Sequence, residues 1–220
     1  MSNDRGLEGT SLPNVIVGPP KIGATAEQLF TRRADERRPW DPRHSKLAAY
    51  VLKGVKGLPF NEKTNVLYLG AANGTTAGHV ADICTEGMVY CVEVSQRSFR
   101  DLIKACEAVK NMVPILGNAR TPDQYAPLVG PVDVVYQDIS QRDQTAIFLK
   151  NLKAFVKRDE DGPRKANGIL MVKARSIDVA KHPKEIYSVV LKELEAECKV
   201  LDARQLDPFE KDHMAIMVSY

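Results

Sequence analysis

The stretch Val66-Leu67-Tyr68-Leu69-Gly70-Ala71-Ala72-Asn73-Gly74-Thr75-Thr76 decides how this chain folds. Its first four residues form a compact apolar run, which is typical of a buried strand, and the segment from Thr76 to Cys84 predicts a helix. Between the two, Gly70 and Gly74 form a turn that a ligand can approach closely, because glycine has no Cβ. Such a turn, leading from a first parallel strand into a helix, is a frequent ligand site. The Gly-x-x-x-Gly spacing alone is not specific for one ligand.

The alternation of strand and helix continues from this stretch to residue 197. Further apolar strands are predicted at 88–92, 113–116, 132–136 and 168–172, and further helices at 98–111, 144–156 and 184–197. Short continuous apolar strands that alternate with helices indicate a parallel sheet covered on both faces. The last two strands, 199–206 and 213–219, have no helix between them and should therefore be antiparallel. Right-handed crossovers then leave few topologies, one of which has the strand order 3-2-1-4-5-7-6.

The segment before this alternation has a different pattern, rich in glycine and proline. Asn14–Val17 and Gln28–Thr31 predict short strands, and His44–Leu52 has helical spacing. We therefore expect a small β-rich N-terminal region with a linking helix at residues 1–57, followed by a larger α/β domain at residues 58–220.

Positive charge is concentrated near the end of the N-terminal region. The net charge of the whole chain is only +3. Six basic and three acidic residues between Thr31 and Lys46 give the same excess, and Trp40 lies among them. A local basic cluster with an aromatic side chain suits a phosphate backbone. A solvated charged loop fits this stretch equally well, so both interpretations stay open.

Composition excludes several classes of protein. No apolar run approaches the roughly 20 residues of a membrane helix. Residues Met1 to Gly9 lack the apolar segment of a signal peptide, so a cytosolic protein is expected. None of the cysteines forms a CxxC pair, which argues against a zinc knuckle or redox pair; no metal site is predicted. We expect Cys84, Cys91, Cys106 and Cys198 to be free thiols in a reducing compartment.

An acidic residue at the end of the second strand indicates a nucleoside cofactor. Glu93 stands where a carboxylate can accept hydrogen bonds from both hydroxyls of a ribose. A nicotinamide dinucleotide is the first alternative, but it needs a pyrophosphate seat with a close third glycine. Here Thr75 and Thr76 fill the end of the turn, which favours an adenosine–amino-acid cofactor. Gly117-Asn118-Ala119, at the end of the third strand, supplies polar groups that could contact an adenine.

Several motifs in the right order resemble the fibrillarin family. They are Val66–Ile83, Ser45-Lys46-Leu47-Ala48-Ala49, Arg100-Asp101-Leu102, Asp143-Gln144-Thr145 and Glu210-Lys211-Asp212-His213. The resemblance covers the chain from about Trp40 to Tyr220, and more loosely its β-rich start. The chain lacks the Gly/Arg-rich leader of eukaryotic members, so it is similar to the archaeal form. The implied fold is that of class I S-adenosylmethionine-dependent methyltransferases, a Rossmann-like seven-stranded mixed sheet in the order given above.

The resemblance also implies an activity, partners and site residues. The activity is S-adenosylmethionine-dependent 2′-O-methylation of ribosomal and transfer RNA, directed by a box C/D guide RNA. The implied partners are this RNA, its target, a coiled-coil scaffold protein and a kink-turn-binding protein. The matching catalytic tetrad is Lys46, Asp138, Lys173 and His213. The matching cofactor-binding residues are Gly70, Ala71, Thr75, Thr76, Glu93, Val94, Asn118, Ala119, Asp138 and Gln141.

The spacing of the tetrad agrees with the predicted sheet. Asp138 and Lys173 follow the fourth and fifth strands, and His213 begins the antiparallel last strand. The start of an antiparallel strand lies at the same sheet edge as the ends of its parallel neighbours, so these side chains should converge beside the cofactor. Lys173 is the candidate for accepting the hydroxyl proton, which requires a neutral amine; a nearby cation such as Lys46 favours that form, whereas Asp138 opposes it.

Departures from the family pattern concern the cofactor site. His44, Asn73, Val94 and Asn118 stand where the family usually has Arg, Ser, an aromatic residue and Asp. We expect them to tune cofactor binding without abolishing it. Two alternatives remain: a methyltransferase of the same fold acting on a small molecule or protein side chain, and an inactive RNA-binding module. The open sheet edge disfavours the first, and the complete tetrad disfavours the second.

Overall fold

The computed structural model describes residues 8–20, 27–156 and 167–220. Its strands are β1 Glu8–Gly9, β2 Val15–Gly18, β3 Gln28–Arg33, β4 Glu36–Pro39, β5 Val66–Leu69, β6 Val89–Glu93, β7 Met112–Leu116, β8 Val134–Gln137, β9 Gly168–Lys173, β10 Lys199–Gln205 and β11 His213–Ser219. Its α-helices are α1 Lys46–Leu52, α2 Thr75–Ile83, α3 Gln96–Glu107, α4 Gln144–Phe155, α5 Ala174–Ile177 and α6 Pro183–Glu195. The first seven residues, which begin the stretch expected to lack a signal peptide, lie outside the described ranges.

The large sheet has the predicted topology. Its seven strands run in the order β7-β6-β5-β8-β9-β11-β10. The pairs β6–β7, β5–β6, β5–β8 and β8–β9 are parallel, whereas β11 pairs antiparallel with both β9 and β10. Counted from β5 as the first strand, this is the order 3-2-1-4-5-7-6, so the predicted α/β class and the closing antiparallel pair are confirmed.

Each face of this sheet packs against its own set of helices. On one face, Val66 and Tyr68 share an apolar cluster with buried residues of α1, α2 and α3. On the other face, Leu67 and Leu69 share a cluster with buried residues of α4 and α6. All four residues of β5 are buried, which explains why its sequence is continuously apolar instead of alternating. Trp40 belongs to the first cluster, so the N-terminal region and the sheet share one core.

The N-terminal region forms an antiparallel sheet of its own, ordered β1-β2-β3-β4 within the described residues. The two predicted strands are confirmed as β2 and β3. The first part of the basic stretch, up to Pro39, is not a loop, because it forms the β3–β4 hairpin, and residues 40–45 connect this hairpin to α1. Trp40 in this stretch is only 1% exposed, so it is a core residue and not an aromatic contact for nucleic acid.

Two arginines of that hairpin bind a buried carboxylate. Asp82 of α2 is 2% exposed, and its two oxygens accept hydrogen bonds from Arg33 and Arg38, each at 2.5 Å. The Thr31 hydroxyl also donates to Asp82, at 2.7 Å. These two arginines therefore attach the N-terminal sheet to α2 from within the protein. Neither interpretation of the basic stretch, as a phosphate-binding cluster or as a solvated loop, predicted this contact with a buried carboxylate.

Other elements depart from the sequence prediction in detail. Helix α3 ends at Glu107 instead of 111, and the short α5 was not foreseen. Two 3-10 turns, Pro122–Gln124 and Ala126–Leu128, lie between β7 and β8. Cys84, Cys91 and Cys106 are buried free thiols, and Cys198 is partly exposed. Over the described ranges, no helix has the length and apolar character needed to cross a membrane.

Acid is expected to weaken the contact between the N-terminal sheet and α2 through His79. The Thr31 hydroxyl donates to Asp82, so the His79 Nδ1–H must donate to the Thr31 oxygen, 2.7 Å away. Burial, assisted by Arg38, lowers the pKa of His79 from 6.5 to about 4. The neutral His79 ring therefore contributes its full stabilisation above the pKa of about 6.5 that histidine has in the unfolded chain. This stabilisation is lost as the pH falls from about 6.5 towards about 4, and the loss is on the order of 3 kcal/mol at most.

Urea unfolding at about pH 7.5 and about pH 4.5 measures this loss. In a His79→Asn variant, the free energy of unfolding should change less between the two pH values than in the wild type. An identical pH dependence in both proteins would show that His79 is not the group responsible.

Candidate active site

The carboxyl ends of the central strands border a cleft with two parts. One part, of about 320 Å³, lies over the ends of β5, β6, β7 and β8. The other, of about 620 Å³, lies between the turn after β5 and the start of α1. Gly70, Ala72 and Asp138 line both parts, so the two are continuous at the turn. This is the sheet edge at which open α/β sheets bind ligands.

All ten predicted cofactor-binding residues border this cleft. The first part is lined by Gly70, Glu93, Val94, Asn118, Ala119, Asp138 and Gln141. The second part is lined by Gly70, Ala71, Thr75, Thr76 and Asp138. The cleft therefore gathers residues from four separate loops into one elongated site.

Gly70 is a position where a side chain cannot be accommodated. Its φ is +81°, in the left-handed region. A Cβ there would overlap the carbonyl oxygen of Asp138 and lie 2.7 Å from Cγ2 of Ile139. The glycine thus lets the turn after β5 and the loop after β8 approach each other at the floor of the cleft.

Backbone groups fix the Glu93 carboxylate at the end of β6. Its Oε2 accepts from the Ala72 N–H at 2.8 Å and its Oε1 from the Ser95 N–H at 2.7 Å. The residue is 8% exposed and lines the first part of the cleft. Each carboxylate oxygen has more than one lone pair and can accept a further hydrogen bond. The arrangement therefore fits the predicted role of accepting from two adjacent ribose hydroxyls.

The far end of this part of the cleft has an exposed apolar wall and a polar rim. Val94, at the position where an aromatic residue was considered more usual, is 61% exposed. Oδ1 of Asn118 accepts from the Arg120 N–H at 3.0 Å, which fixes the orientation of this side chain. The Arg120 guanidinium donates to Gln141 at 2.8 Å and pairs with Asp143, whose pKa it lowers. These contacts join the loop after β7 to the loop after β8 across the rim.

Side-chain hydrogen bonds stabilise the turn between β5 and α2. Oδ1 of Asn73 accepts from the Thr75 N–H at 3.2 Å and from the Thr75 hydroxyl at 2.9 Å. The Thr76 hydroxyl donates to Ser45, 3.1 Å away. Ser45 also accepts from the Trp40 indole N–H at 2.9 Å and caps α1 through the Ala48 N–H. The turn is therefore tied to the helix that carries Lys46.

Alternation along the strands places the tetrad on one face of the sheet. Tyr136, Met171 and Ala215 belong to the apolar cluster under α1. Asp138, Lys173 and His213 each stand two residues from one of these along its strand direction, so they share that face. Lys46 is the first residue of α1, on the same side. Strand register places His213 directly opposite Lys173.

An ion pair joins two members of the tetrad. Lys46 Nζ lies 3.0 Å from the Asp138 carboxylate, and both side chains are about four-fifths buried (19% and 20% exposed). Asp138 is therefore bound to Lys46 and not to Lys173. Among the described residues, the Lys173 side chain forms no ion pair.

The His213 ring is held in one tautomer. Nδ1 lies 2.7 Å from the carbonyl oxygen of Lys211, which can only accept, so Nδ1 carries the proton. Burial and the nearby Lys46 charge lower the pKa of His213, which favours the neutral ring at neutral pH. Nε2 is then an acceptor, and it is buried without a partner among the residues that the structure describes.

Sequence reasoning overlooked several residues at this edge. Tyr68 lines the second part of the cleft, and its ring lies 4.4 Å from that of Tyr136. Gln144 is fully buried and contacts the backbone of Lys173. The sequence could have indicated both tyrosines, because strand alternation places Tyr68 and Tyr136 on the face of the sheet that Asp138 shares. His79 and His182 have structural roles: His79 stacks on Trp40, and His182 caps α6.

Strand order and the position of the cleft place the chain among the class I S-adenosylmethionine-dependent methyltransferases, as the sequence predicted. Comparison with known proteins takes the identification further. The Fibrillarin family model matches residues 20–220. The chain belongs to the fibrillarin family, and it is similar to the archaeal members.

One curated relative and two solved structures illustrate the similarity. The "Fibrillarin-like rRNA/tRNA 2′-O-methyltransferase" of Methanothermobacter thermautotrophicus is 42% identical, over 97% of this chain and 95% of that protein. Aeropyrum pernix fibrillarin, solved with natively bound S-adenosyl-L-methionine, superposes with a TM-score of 0.81 at 35% identity, covering 96% of this chain and 97% of the other. The fibrillarin of a fibrillarin/Nop5p complex superposes with a TM-score of 0.80 at 36% identity, covering 98% and 97%.

Proposed function

We propose that this protein is an S-adenosylmethionine-dependent RNA 2′-O-methyltransferase, the catalytic subunit of a box C/D guide ribonucleoprotein that modifies rRNA and tRNA. The observation that carries this proposal is the Lys46–Asp138 pair, which lies with Lys173 and His213 on one face of the sheet beside the Gly70 turn. The name of the archaeal relative and the cofactor bound to the Aeropyrum structure support it.

The cleft fits the cofactor in both of its parts. Glu93 would hold the ribose hydroxyls, the loops bearing Asn118, Ala119 and Gln141 would enclose the base, and the Thr75–Thr76 turn would receive the amino-acid end. The cofactor supplies an electrophilic methyl group on a positively charged sulfur. Asp138 lines both parts of the cleft, so its carboxylate lies at their junction, where a compensating negative charge is most useful.

The protein then has to place a ribose 2′-hydroxyl and remove its proton. Lys173 stands at the end of β9 on the tetrad face, and we assign it to accept that proton or to hydrogen-bond the oxygen. We also assign Lys46 to hold the substrate phosphate or ribose, and Nε2 of His213 to accept a hydrogen bond from a ribose hydroxyl. Correct placement alone contributes up to roughly 7–11 kcal/mol to such a reaction.

Both parts of the chain contribute to this site. We assign residues 58–220 as the methyltransferase domain and residues 1–57 as a β-rich region with its linking helix. Lys46 comes from the N-terminal region. Trp40, Leu47 and Tyr50 of the same region belong to the apolar cluster of the methyltransferase domain. A fragment that begins at residue 58 would therefore lack one tetrad member and part of its core.

The target nucleotide is chosen by the guide RNA, so assembly with partners belongs to the proposal. The fibrillarin/Nop5p complex supports a coiled-coil scaffold protein as one partner. A kink-turn-binding protein and the guide RNA complete the particle, which would work in the archaeal cytosol. The open edge of the cleft suits a bulky RNA substrate better than a small molecule.

Transfer of a labelled methyl group to a guided RNA tests this function. The protein is assembled with guide RNA, target RNA and the partner proteins, and a matched target carries a 2′-deoxy sugar at the guided nucleotide. Label should enter the first target and not the second. Label on the deoxy target would eliminate the 2′-O assignment. Label on protein or on small molecules alone would favour the alternative, a methyltransferase of the same fold with another substrate.

Glu93→Gln should weaken cofactor binding by roughly 10- to 100-fold. Glu93 accepts from two backbone N–H groups, and an amide would turn its own NH₂ towards one of them. Isothermal titration with S-adenosylmethionine measures the change. Glu107→Gln is the control, because Glu107 is exposed on α3. Equal affinities for the two variants would remove Glu93 from the cofactor site.

A further inference from the structure

The ladder between β8 and β9 ends before the catalytic edge is reached. Register pairs join Val135 to Gly168, Tyr136 to Ile169 and Gln137 to Leu170, and no further pair follows. Strand β9 continues for three more residues to Lys173. On its other side Lys173 still pairs with His213 of β11. On the β8 side, another group has to satisfy the Lys173 backbone.

The side chain of Gln144 satisfies it. Gln144 is the first residue of α4 and is 0% exposed. Its Oε1 accepts from the Lys173 N–H at 3.1 Å, and its Nε2 lies 3.3 Å from the Lys173 carbonyl oxygen. A side-chain amide offers the same donor and acceptor as a peptide group, so Gln144 continues the ladder where β8 has turned away.

The same residue is attached to the cofactor cleft and to β8. Its Nε2 donates to the Gln141 carbonyl oxygen at 2.9 Å, and Gln141 lines the cleft. Its own backbone carbonyl accepts from Nε2 of Gln137 at 2.7 Å. Gln137 is also 0% exposed and immediately precedes Asp138. Two buried glutamines therefore connect the backbone beside Asp138, the Gln141 loop and the backbone of Lys173.

These contacts lie away from the reacting groups. Leu67, Val135 and Leu170 belong to the cluster under α4, and Gln137 alternates onto that same face. The tetrad occupies the opposite face. Gln144 thus contacts the backbone from the other face of the sheet, and it is not among the residues that line the two parts of the cleft. Buried amide hydrogen bonds of this kind tolerate little displacement, because a broken one leaves an unsatisfied polar group.

We propose that Gln144 is a positioning residue that sets the place of Lys173 relative to Asp138 and the Gln141 loop. The inference rests on the proposed function, because it concerns the same methyl transfer. It predicts that loss of the Gln144 amide lowers turnover far more than it lowers stability or cofactor affinity.

Gln144→Met tests the role, since methionine has a similar length but no amide. In the assembled particle, kcat should fall by roughly 10- to 100-fold, as for a displacement near 1 Å, with the cofactor Kd changed less than about 3-fold. The control is Asn111→Leu. Asn111 donates to the carbonyl oxygens of Ala81, Cys84 and Gly87, and it precedes β7 at the opposite end of the sheet. This control should lose stability and retain its kcat.

A conservative variant gives a second, independent readout. In Gln144→Glu, an ionised carboxylate keeps the acceptor for the Lys173 N–H but turns an oxygen towards the Gln141 carbonyl. Burial raises the pKa of such a carboxyl group, and the protonated form regains a donor. The kcat of Gln144→Glu relative to the wild type should therefore rise as pH falls. Amide hydrogen exchange at Lys173 should be faster in Gln144→Met than in Asn111→Leu.

Each of these measurements can contradict the positioning role of Gln144. The inference is overturned if Gln144→Met keeps wild-type kcat, or if its kcat falls only as much as that of Asn111→Leu at equal folded fraction. A Gln144→Glu variant whose relative kcat does not change with pH also counts against it. A wild-type particle that transfers no methyl group to the 2′-hydroxyl would refute the proposed function instead. The exchange measurement on Lys173 remains valid in that case.

Discussion

Asp138→Ala should reduce methyl transfer by at least about 100-fold while the protein stays folded. Asp138 is the residue at which the two parts of the cleft meet, and its carboxylate binds Lys46 at 3.0 Å. Removing it takes away the negative charge beside the cofactor and releases the Lys46 side chain. Single-turnover rates with the guided RNA, together with circular dichroism of the variant, measure both parts of the expectation.

A double-mutant cycle shows whether the pair works as one unit. If Asp138 acts largely by holding Lys46, then Lys46→Ala should lose a similar factor, and the double variant should be little worse than either single one. Glu197→Ala serves as the matched control, since Glu197 accepts from Lys153 at the same 3.0 Å on the other side of the sheet. An Asp138→Ala protein with wild-type rates would exclude the catalytic role.

The fold was predictable because each strand carries its own signal. Continuous apolar runs at 66–69 and 168–172 indicated burial on both faces, and the missing helix between the last two strands indicated antiparallel pairing. These are local features of the sequence, and the rule of right-handed crossovers reduces the topologies that fit them to a few. The observed strand order is one of those few, and the resemblance to the family selected it.

The N-terminal region was less predictable, because distant residues determine it. Arg33 and Arg38 looked like charges for solvent or phosphate, and nothing near them in sequence shows that Asp82 receives them, some 44–49 residues later. The same holds for Trp40, whose partner is His79. A buried carboxylate in α2 is visible in the sequence only as an acid within a helix.

The candidate active site was partly predictable from the sequence. Strand ends placed Asp138, Lys173 and His213 at one edge by geometry alone. The pairing of Lys46 with Asp138, 92 residues away, was not predicted, because the resemblance to the family implied only that both residues belong to the tetrad. Gln144 could not be recognised, because its role depends on the ladder between β8 and β9 ending three residues short of Lys173. Side-chain amides that replace a strand leave no periodic pattern in the sequence.

Gly70→Ala should abolish measurable cofactor binding and destabilise the protein by about 2–5 kcal/mol. A left-handed φ costs an alanine roughly 1–2 kcal/mol, and overpacking adds about 1–3 kcal/mol. The larger functional loss has a geometric cause. The new methyl group would overlap the Asp138 carbonyl, so the loop after β8 must move away from the turn and take the Asp138 side chain with it.

Gly57→Ala separates these two costs. Gly57 has a φ of +71°, close to that of Gly70, but a Cβ there meets nothing within 4 Å. It should lose only the conformational part of the stability and bind S-adenosylmethionine normally, as measured by urea unfolding and isothermal titration. If Gly70→Ala bound the cofactor as well as Gly57→Ala does, the close approach of residues 70 and 138 would not be what shapes the cleft. The strain at Gly70 would then be a property of the turn alone, because the two glycines differ in what surrounds them and not in backbone conformation.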